Sequence, residues 1–194
     1  MTGVICIFFI AGCMGTPRIT DPEKTATEQL LISTAADRAL EELDLKKLAE
    51  KRIFIDASAF EGAEKGYVVG LVTIALGKQG ALIVGEKKDS EAVVTVTPGV
   101  LSIDRSGFFL GLPTFPIPFA GGIGTPELAL YKTIKQTGIA KFAIHAYEVP
   151  TGEQILSLGP FVGTTYYNYR KMFIIFSSST TDIMEKKKKG WLKP

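Results

Sequence analysis

Hydrophobic positions recur at helical spacing in two segments of the chain. Behind Thr25 and Glu28, whose three-residue separation is typical of a capping box, apolar residues recur from Ile32 to Leu43. This pattern predicts an amphipathic helix over residues 26–44. A second stripe of apolar residues runs from Tyr67 to Lys78 and predicts another helix. The glycines in this segment weaken the prediction, because each glycine destabilises a helix interior by about 1 kcal/mol.

Several shorter segments are rich in β-branched residues and predict strands. In residues 91–97, Ala92, Val94 and Val96 alternate with residues that face the other way, as in a half-buried strand. The other predicted strands are Lys51–Asp56, a short buried strand at 81–84, 127–136, the two arms of a hairpin at 139–158, and 161–176. Together the elements predict an α/β fold, specifically an α+β sandwich. Two helices pack on a mixed, mostly antiparallel sheet, in the order helix, strand, helix, strand, strand, loop, strands.

The segment 107–125 is unusually apolar and is interrupted by prolines and glycines. Because proline excludes a regular helix or a central strand, we expect a long loop here. One interpretation is a loop that folds back over the sheet and buries its own aromatic residues. The other is a surface that contacts a bilayer or a partner subunit. The candidate contact residues are Phe108, Phe109, Leu110, Phe115 and Phe119.

The N-terminal segment ends in the run Ile10-Ala11-Gly12-Cys13, which follows an uncharged apolar stretch. This order is typical of a bacterial lipoprotein signal, cleaved between Gly12 and Cys13, with Cys13 as the site of lipid attachment. The alternatives are an unstructured apolar N-terminus and a buried strand with an incidental cysteine. The lipoprotein interpretation divides the chain into a signal peptide (1–12), a tether (13–24), one α/β domain (25–176) and a polar tail (177–194) that contains the basic run Lys186–Lys189.

Composition narrows the chemistry available to this domain. The formal net charge of +2 gives no general case for nucleic-acid binding. Cys6 would leave with the signal and Cys13 would carry lipid, so the mature domain would hold no free thiol and no disulfide. His145 is the only histidine, which excludes a multi-histidine metal site, and we expect it to be a half-exposed structural residue. No metal or other cofactor is predicted.

Three carboxylates could in principle perform acid–base chemistry. Asp56, Glu61 and Asp104 lie at predicted strand ends or in loops. Glycan hydrolysis uses a pair of carboxyl groups at a defined separation. The sequence does not fix the separation of these three groups, so an envelope enzyme acting on glycans stays an alternative.

Several core segments resemble a group of envelope lipoproteins. Residues 51–56, 80–84 and 90–96, together with the hairpin 146–153, are similar to the core of proteins related to CsgG, LpoB and the N-terminal domain of TolB. Within that group the chain looks most like an uncharacterised bacterial lipoprotein family. The resemblance covers residues 25–165 and implies an α/β sandwich without an active site. It also implies an outer-membrane location, since Met14 rather than aspartate follows the cysteine. The two long amphipathic hairpins of a CsgG pore are not evident in the pattern.

These observations predict a lipid-anchored cell-envelope protein without enzymatic activity. It would act in binding, assembly or structure at the periplasmic face of the outer membrane, held there by N-terminal acyl chains. Its partner would be another protein or a further copy of itself, and not a nucleic acid. The first alternative is an oligomeric membrane channel or secretion component that uses residues 107–123. The second is the glycan-acting enzyme.

Overall fold

The computed structural model describes residues 24–41, 43–115, 124–173 and 175–183 of the chain. Helix α1 spans Ala26–Leu40, and helix α2 spans Lys65–Lys78. The predicted capping box begins α1, because Thr25 Oγ1 accepts a hydrogen bond from the Glu28 N–H at 3.3 Å and Glu28 Oε2 accepts one from the Thr25 N–H at 2.9 Å. Helix α1 ends four residues before the predicted residue 44, and a single 3-10 turn follows at Lys46–Leu48.

Six strands form one sheet in the order β2-β1-β3-β4-β5-β6. Strand β1 is parallel to β2 and β3, and the remaining neighbours are antiparallel. The strands are β1 (Arg52–Asp56), β2 (Leu82–Ile83), β3 (Ala92–Leu112), β4 (Leu128–Glu148), β5 (Gln154–Met172) and β6 (Phe176–Thr181). The predicted α/β class, the mixed and mostly antiparallel sheet and the order of elements are therefore confirmed.

Both helices pack on the same face of the sheet, which we call the helix face. Val94, Val96 and Ile144 point into this layer and form one hydrophobic core with the apolar stripes of α1 and α2. The predicted inward alternation of residues 92–96 is confirmed. The opposite side, which we call the open face, exposes Val100 and Val162. Directly paired residues in an antiparallel sheet share a face, so the strand register assigns the residues of β3 to β6 to one face or the other.

Helix α1 lies directly on the backbone of β4 and β5 at two glycines. A Cβ atom at Gly163 would overlap the carbonyl oxygen of Ala35, and one at Gly138 would lie 2.7 Å from the carbonyl oxygen of Leu31. Next to Gly138, the buried Thr165 hydroxyl donates a hydrogen bond to Leu31 O at 2.8 Å. The absence of side chains at both glycines is what allows the helix to approach this closely.

The long strands continue beyond the helices. Near the N-terminus of α1, Glu28 Oε1 lies 3.2 Å from Gln136 Nε2 and 3.9 Å from Arg105 Nη1. We call the region beyond this row the sheet tip. It comprises β3 from Arg105, β4 up to Gln136, β5 from Tyr167, and β6. The five residue steps from Arg105 to Leu110 span roughly 17 Å.

Several sequence predictions need correction. The predicted loop 107–125 begins too early, because β3 continues through Leu112, and only 113–127 connects β3 to β4. The predicted tail begins too early as well, since residues 177–181 pair with β5 as part of β6. The predicted buried strand at 81–84 is reduced to Leu82–Ile83, which is exposed at the sheet edge.

Strand β3 is also longer than predicted, since only residues 91–97 were expected to form it. Strands β3 and β4 each contain 21 residues and form one long hairpin, and β5 adds 19 residues beside them. The alternation in the outer half of these strands is mixed rather than strictly apolar and polar, and a glycine-rich segment at 107–111 weakens the strand pattern further. Pairing with β4 keeps these residues extended.

We predict that Gly163→Ala destabilises the protein. The added Cβ must displace α1 from the sheet, and overpacking of this kind costs about 1–3 kcal/mol in the free energy of unfolding. Urea denaturation of the full chain measures this change.

Gly70→Ala in α2 provides the matched control. A Cβ atom there meets no atom within 4 Å. Since alanine is favoured over glycine in a helix, this variant should be as stable as the wild type or more stable, by up to about 1 kcal/mol. Equal stability of Gly163→Ala and the wild type would contradict the close approach of α1.

Candidate interaction site at the sheet tip

An apolar row crosses the open face at the sheet tip. Leu110 pairs with Tyr131, Tyr131 with Met172, and Met172 with Phe176, so these four side chains lie side by side on neighbouring strands. Leu110, Met172 and Phe176 are 54%, 47% and 65% exposed. Phe108 extends the row, with its ring centroid 6.1 Å from that of Tyr131. A contiguous exposed apolar patch of this kind marks an interaction surface.

The end of the sheet adds further exposed apolar residues. Phe173 and Ile175 lie in the turn between β5 and β6, and Leu112 and Phe115 lie at the end of β3 and just after it. All four side chains are more than half exposed. Apolar surface is therefore concentrated at one end of the molecule.

Charged side chains follow directly behind the apolar row. On the helix face Lys132 pairs with Lys171, and on the open face Arg170 lies beside Thr133. Lys132 Nζ is 2.8 Å from Glu127 Oε2 and 5.9 Å from the centre of the Phe109 ring. Cationic groups thus border the apolar row on its inner side, where only β3 continues it, with Phe108.

The five predicted contact residues differ in their exposure and in their place in the structure. Phe108, Leu110 and Phe115 are exposed, so a loop that buries its own aromatics is excluded for them. Phe109 is half-buried and lies on the helix face beside Lys132. Phe119 lies outside the described residues, as do Gly12, Cys13 and the basic run Lys186–Lys189.

Sequence reasoning missed the other members of the row. Tyr131 and Met172 belong to the segments predicted as strands, but they join Leu110 only through the register of two long hairpins. Phe176 was placed at the end of a strand rather than at the start of a new one. Counting back from the turn does not reveal them, because two register shifts separate the pair Tyr147–Gln154 from the pair Tyr131–Met172.

A polar clasp fixes the base of β6 to α1. Arg38 Nη1 lies 2.5 Å from Asp182 Oδ2 and 2.6 Å from Thr164 O, while the Tyr166 N–H donates to Asp182 Oδ1 at 2.7 Å. Desolvation would raise the pKa of Asp182, but the hydrogen bonds from Tyr166 and Arg38 outweigh it, and the pKa is lowered. The clasp fixes the C-terminal end of β6, near Thr181, to α1. The helices do not cover the N-terminal end of β6, at Phe176.

Two of the three candidate carboxylates, Asp56 and Asp104, lie too far apart to form an acid–base pair. Asp56 is opposite Thr95 of β3, and Asp104 lies nine residues further along that strand, roughly 30 Å away. Hydrogen bonds from Ser58 lower the pKa of Asp56, which is the wrong direction for a general acid. Glu61 is exposed in the loop before α2.

Other polar groups are engaged in structural contacts. His145 is half-exposed on the open face, as predicted, with Nδ1 2.9 Å from Ser157 Oγ. Within the described part of the chain, no cluster of three or more histidine, cysteine, aspartate or glutamate residues could hold a metal ion. None of the helices described is long and apolar enough to cross a membrane.

A groove of about 650 Å³ lies between the two helices, with Leu30, Tyr67 and Leu101 among its lining residues. Lys24 at its rim forms an ion pair with Glu64, and the Tyr67 hydroxyl donates to Asp37 Oδ1 at 2.8 Å. Desolvation and the neighbouring Asp37 carboxylate raise the pKa of Tyr67 to about 12. The groove therefore offers mainly apolar surface and no readily ionised hydroxyl.

The sequence pattern of one protein family matches residues 10–178. This family is described as a family of unknown function (DUF6655). The chain belongs to it. The DUF6655 match includes Gly12 and Cys13, the whole of β3, β4 and β5, and the first three residues of β6. A comparison with curated proteins found no match.

We predict that the stabilising effect of the Asp182 clasp depends on pH. A carboxyl group with a lowered pKa stabilises the folded state above its unfolded pKa, about 3.9, and the effect is lost as the pH falls through the lowered value. At pH 7, Asp182→Asn should therefore reduce the free energy of unfolding by about 1–2 kcal/mol. As the pH falls from about 4 through the lowered pKa, the wild type and the variant should converge.

Thermal unfolding at a series of pH values measures this effect. Asp104→Asn, a substitution at an exposed position on the open face, is the control and should follow the wild type throughout. A difference between the wild type and Asp182→Asn that is independent of pH would contradict the clasp as described.

Proposed function

We propose that this protein is a non-enzymatic, lipid-anchored component of the bacterial cell envelope that binds a protein partner through the sheet tip. The observation that carries this proposal is the apolar row in which Leu110, Met172 and Phe176 are exposed and Tyr131 is half-buried. Exposing such a row to water is unfavourable, at about 25 cal/mol per Å² of apolar surface. A partner that covers it recovers this free energy.

The borders of the row favour a protein partner over insertion into a bilayer. Lys132, Lys171 and Arg170 lie within two residue steps of it, on both faces of the sheet. Moving these cations into hydrocarbon with the row would be costly. An apolar centre with a polar and charged rim is the usual anatomy of a protein–protein interface. This argument favours a binding component over the alternative of a channel or secretion component that uses residues 107–123.

The sequence around Cys13 supports the location. The family match begins at residue 10, so the proposed cleavage site between Gly12 and Cys13 is within the segment that the family shares. In the proposal, Cys13 carries acyl chains in the outer membrane and the domain faces the periplasm. A single acyl chain binds a membrane only marginally, whereas two or more give durable attachment.

The arrangement of ionisable groups supports a binding role without catalysis. Asp56 and Asp104 are too far apart for the carboxylate separations of glycosidases, which are about 5–9.5 Å. Replacing Asp56, Glu61 and Asp104 singly with alanine should therefore leave the behaviour of the protein in the envelope unchanged.

We predict that Cys13→Ala removes lipid from the protein. Cells that produce the full chain are grown with a fatty-acid analogue, and the labelled protein is detected after purification. The wild type should be labelled and Cys13→Ala should not. Cys6→Ala is the matched control and should keep its label, because Cys6 lies in the segment that cleavage removes. Equal labelling of the wild type and Cys13→Ala would remove the anchor from the proposal.

We predict that the sheet tip contacts a partner in the envelope. A photoreactive amino acid placed at Leu110 or Phe176 should give protein adducts of higher mass when intact cells are illuminated. The same group at Val162, exposed on the open face but away from the tip, should not. Substitution at these exposed positions should change the free energy of unfolding by less than about 1 kcal/mol. Absence of adducts at both tip positions would contradict binding through this site.

A further inference from the structure

Among the residues that the structure describes, neither edge of the sheet tip is paired with a further strand. Strand β3 pairs with β1 only from Ala92 to Thr95, so along the tip, within the described part of the chain, β3 has a neighbour on one side only. Strand β6 ends the sheet on the other side. An unpaired strand edge presents a row of free N–H and C=O groups, and such a row is a template for pairing with another strand.

Within residues 176–181, the β6 edge lacks the sequence features that usually block such pairing. Its sequence, Phe-Ser-Ser-Ser-Thr-Thr, contains no charged residue, no proline and no bulge over its six residues. Natural edge strands are commonly protected by lysine, proline, a bulge or a covering element. The Arg38–Asp182 clasp covers only the base of the strand.

The hydrogen-bond ladder shows which groups point outward. Phe173 N–H donates to Leu130 O, and Asp182 N–H donates to Tyr166 O. Hydrogen-bonded pairs alternate along an antiparallel ladder, so the free groups of β6 belong to Ser177, Ser179 and Thr181. By the same alternation, those of β3 belong to Arg105, Gly107 and Phe109. The five side chains of these residues, all but Gly107, are on the helix face.

The two edges are compatible with each other. Strands β3 and β6 run in opposite directions across the sheet, because three antiparallel pairings separate them. When one molecule is placed beside another with the same faces aligned, β6 of the first lies antiparallel to β3 of the second. The outward groups of both edges then meet as hydrogen-bonded pairs. Each edge offers six residues at the tip, Arg105–Leu110 on β3 and Phe176–Thr181 on β6.

We infer that copies of this protein associate head to tail, with β6 of one copy pairing antiparallel to the tip of β3 in the next. This inference rests on the proposed function and names the partner: a second copy of the chain. The apolar row supports this occupant, since Leu110 and Phe176 are its two ends. Joining the edges brings Phe176 of one copy beside Leu110 of the next and continues the row across the boundary. A foreign strand would need only one of the two edges.

Engineered disulfides test this arrangement. Residues between the outward ones form the closer, non-hydrogen-bonded pairs across the new boundary, which suits a disulfide. Ser178→Cys on β6 is combined in turn with Phe108→Cys, Ser106→Cys or Asp104→Cys on β3, in the full-length chain carrying Cys6→Ser. These positions are all on the open face, and the three pairs sample neighbouring registers. A control chain that carries only the Cys6→Ser substitution shows how much cross-linking arises from Cys13.

Head-to-tail pairing predicts a ladder of dimers, trimers and larger species on a non-reducing gel for at least one pair. Each single-cysteine variant should give no cross-linked species, because it supplies only one of the two edges. A dimer from Ser178→Cys alone, or from a β3 cysteine alone, would indicate pairing of like edges and would overturn the inference.

Ser179→Pro provides a blocking variant. Proline at this position removes an outward N–H and keeps the β5–β6 ladder, so the ladder of cross-linked species should be lost while thermal unfolding is retained. Persistence of the ladder in this variant would overturn edge pairing. If all cysteine pairs stay monomeric while the photoreactive groups at the tip capture a different protein, the inference fails and the proposed function stands. If the disulfide and the photo-cross-linking experiments both give only monomer, the inference and the proposed function both fail.

Discussion

The close packing of α1 on the glycines of β4 and β5 is the contact on which the rest of the structure depends. Because Gly138 and Gly163 have no side chains, the helix backbone reaches the sheet backbone, and the Thr165 hydroxyl bonds to a helix carbonyl between them. This contact places the helix layer over the inner half of the long strands. The core then closes around the inner halves of β3 and β4, and the outer halves extend beyond it.

The functional character of the molecule follows from this placement. A sheet buried by helices along its whole length would offer no apolar row and no free edge. Here the tip keeps both faces and both edges clear of α1 and α2, and its strands are held straight by pairing with one another. The proposed binding surface is thereby separated from the stabilising core.

The prediction succeeded where local patterns carry strong signals. The capping box located the start of α1, and the alternation of Ala92, Val94 and Val96 identified the buried face of β3. It failed at 107–112, where glycine-rich sequence and nearby prolines predicted a loop. The residues are extended there because each pairs with β4, and pairing over this sequence distance leaves no local signature. It failed for β6 for the same reason, since a run of serine and threonine has no pattern of its own.

The sequence by itself determined the fold class and the order of elements. These properties depend on residues close together in the chain, whose spacing is fixed by helix and strand periodicity. Only the tertiary structure decided that Leu110, Tyr131, Met172 and Phe176 form one row and that Asp56 and Asp104 stay far apart. Register and strand length set these distances, and both come from contacts between distant segments of the chain.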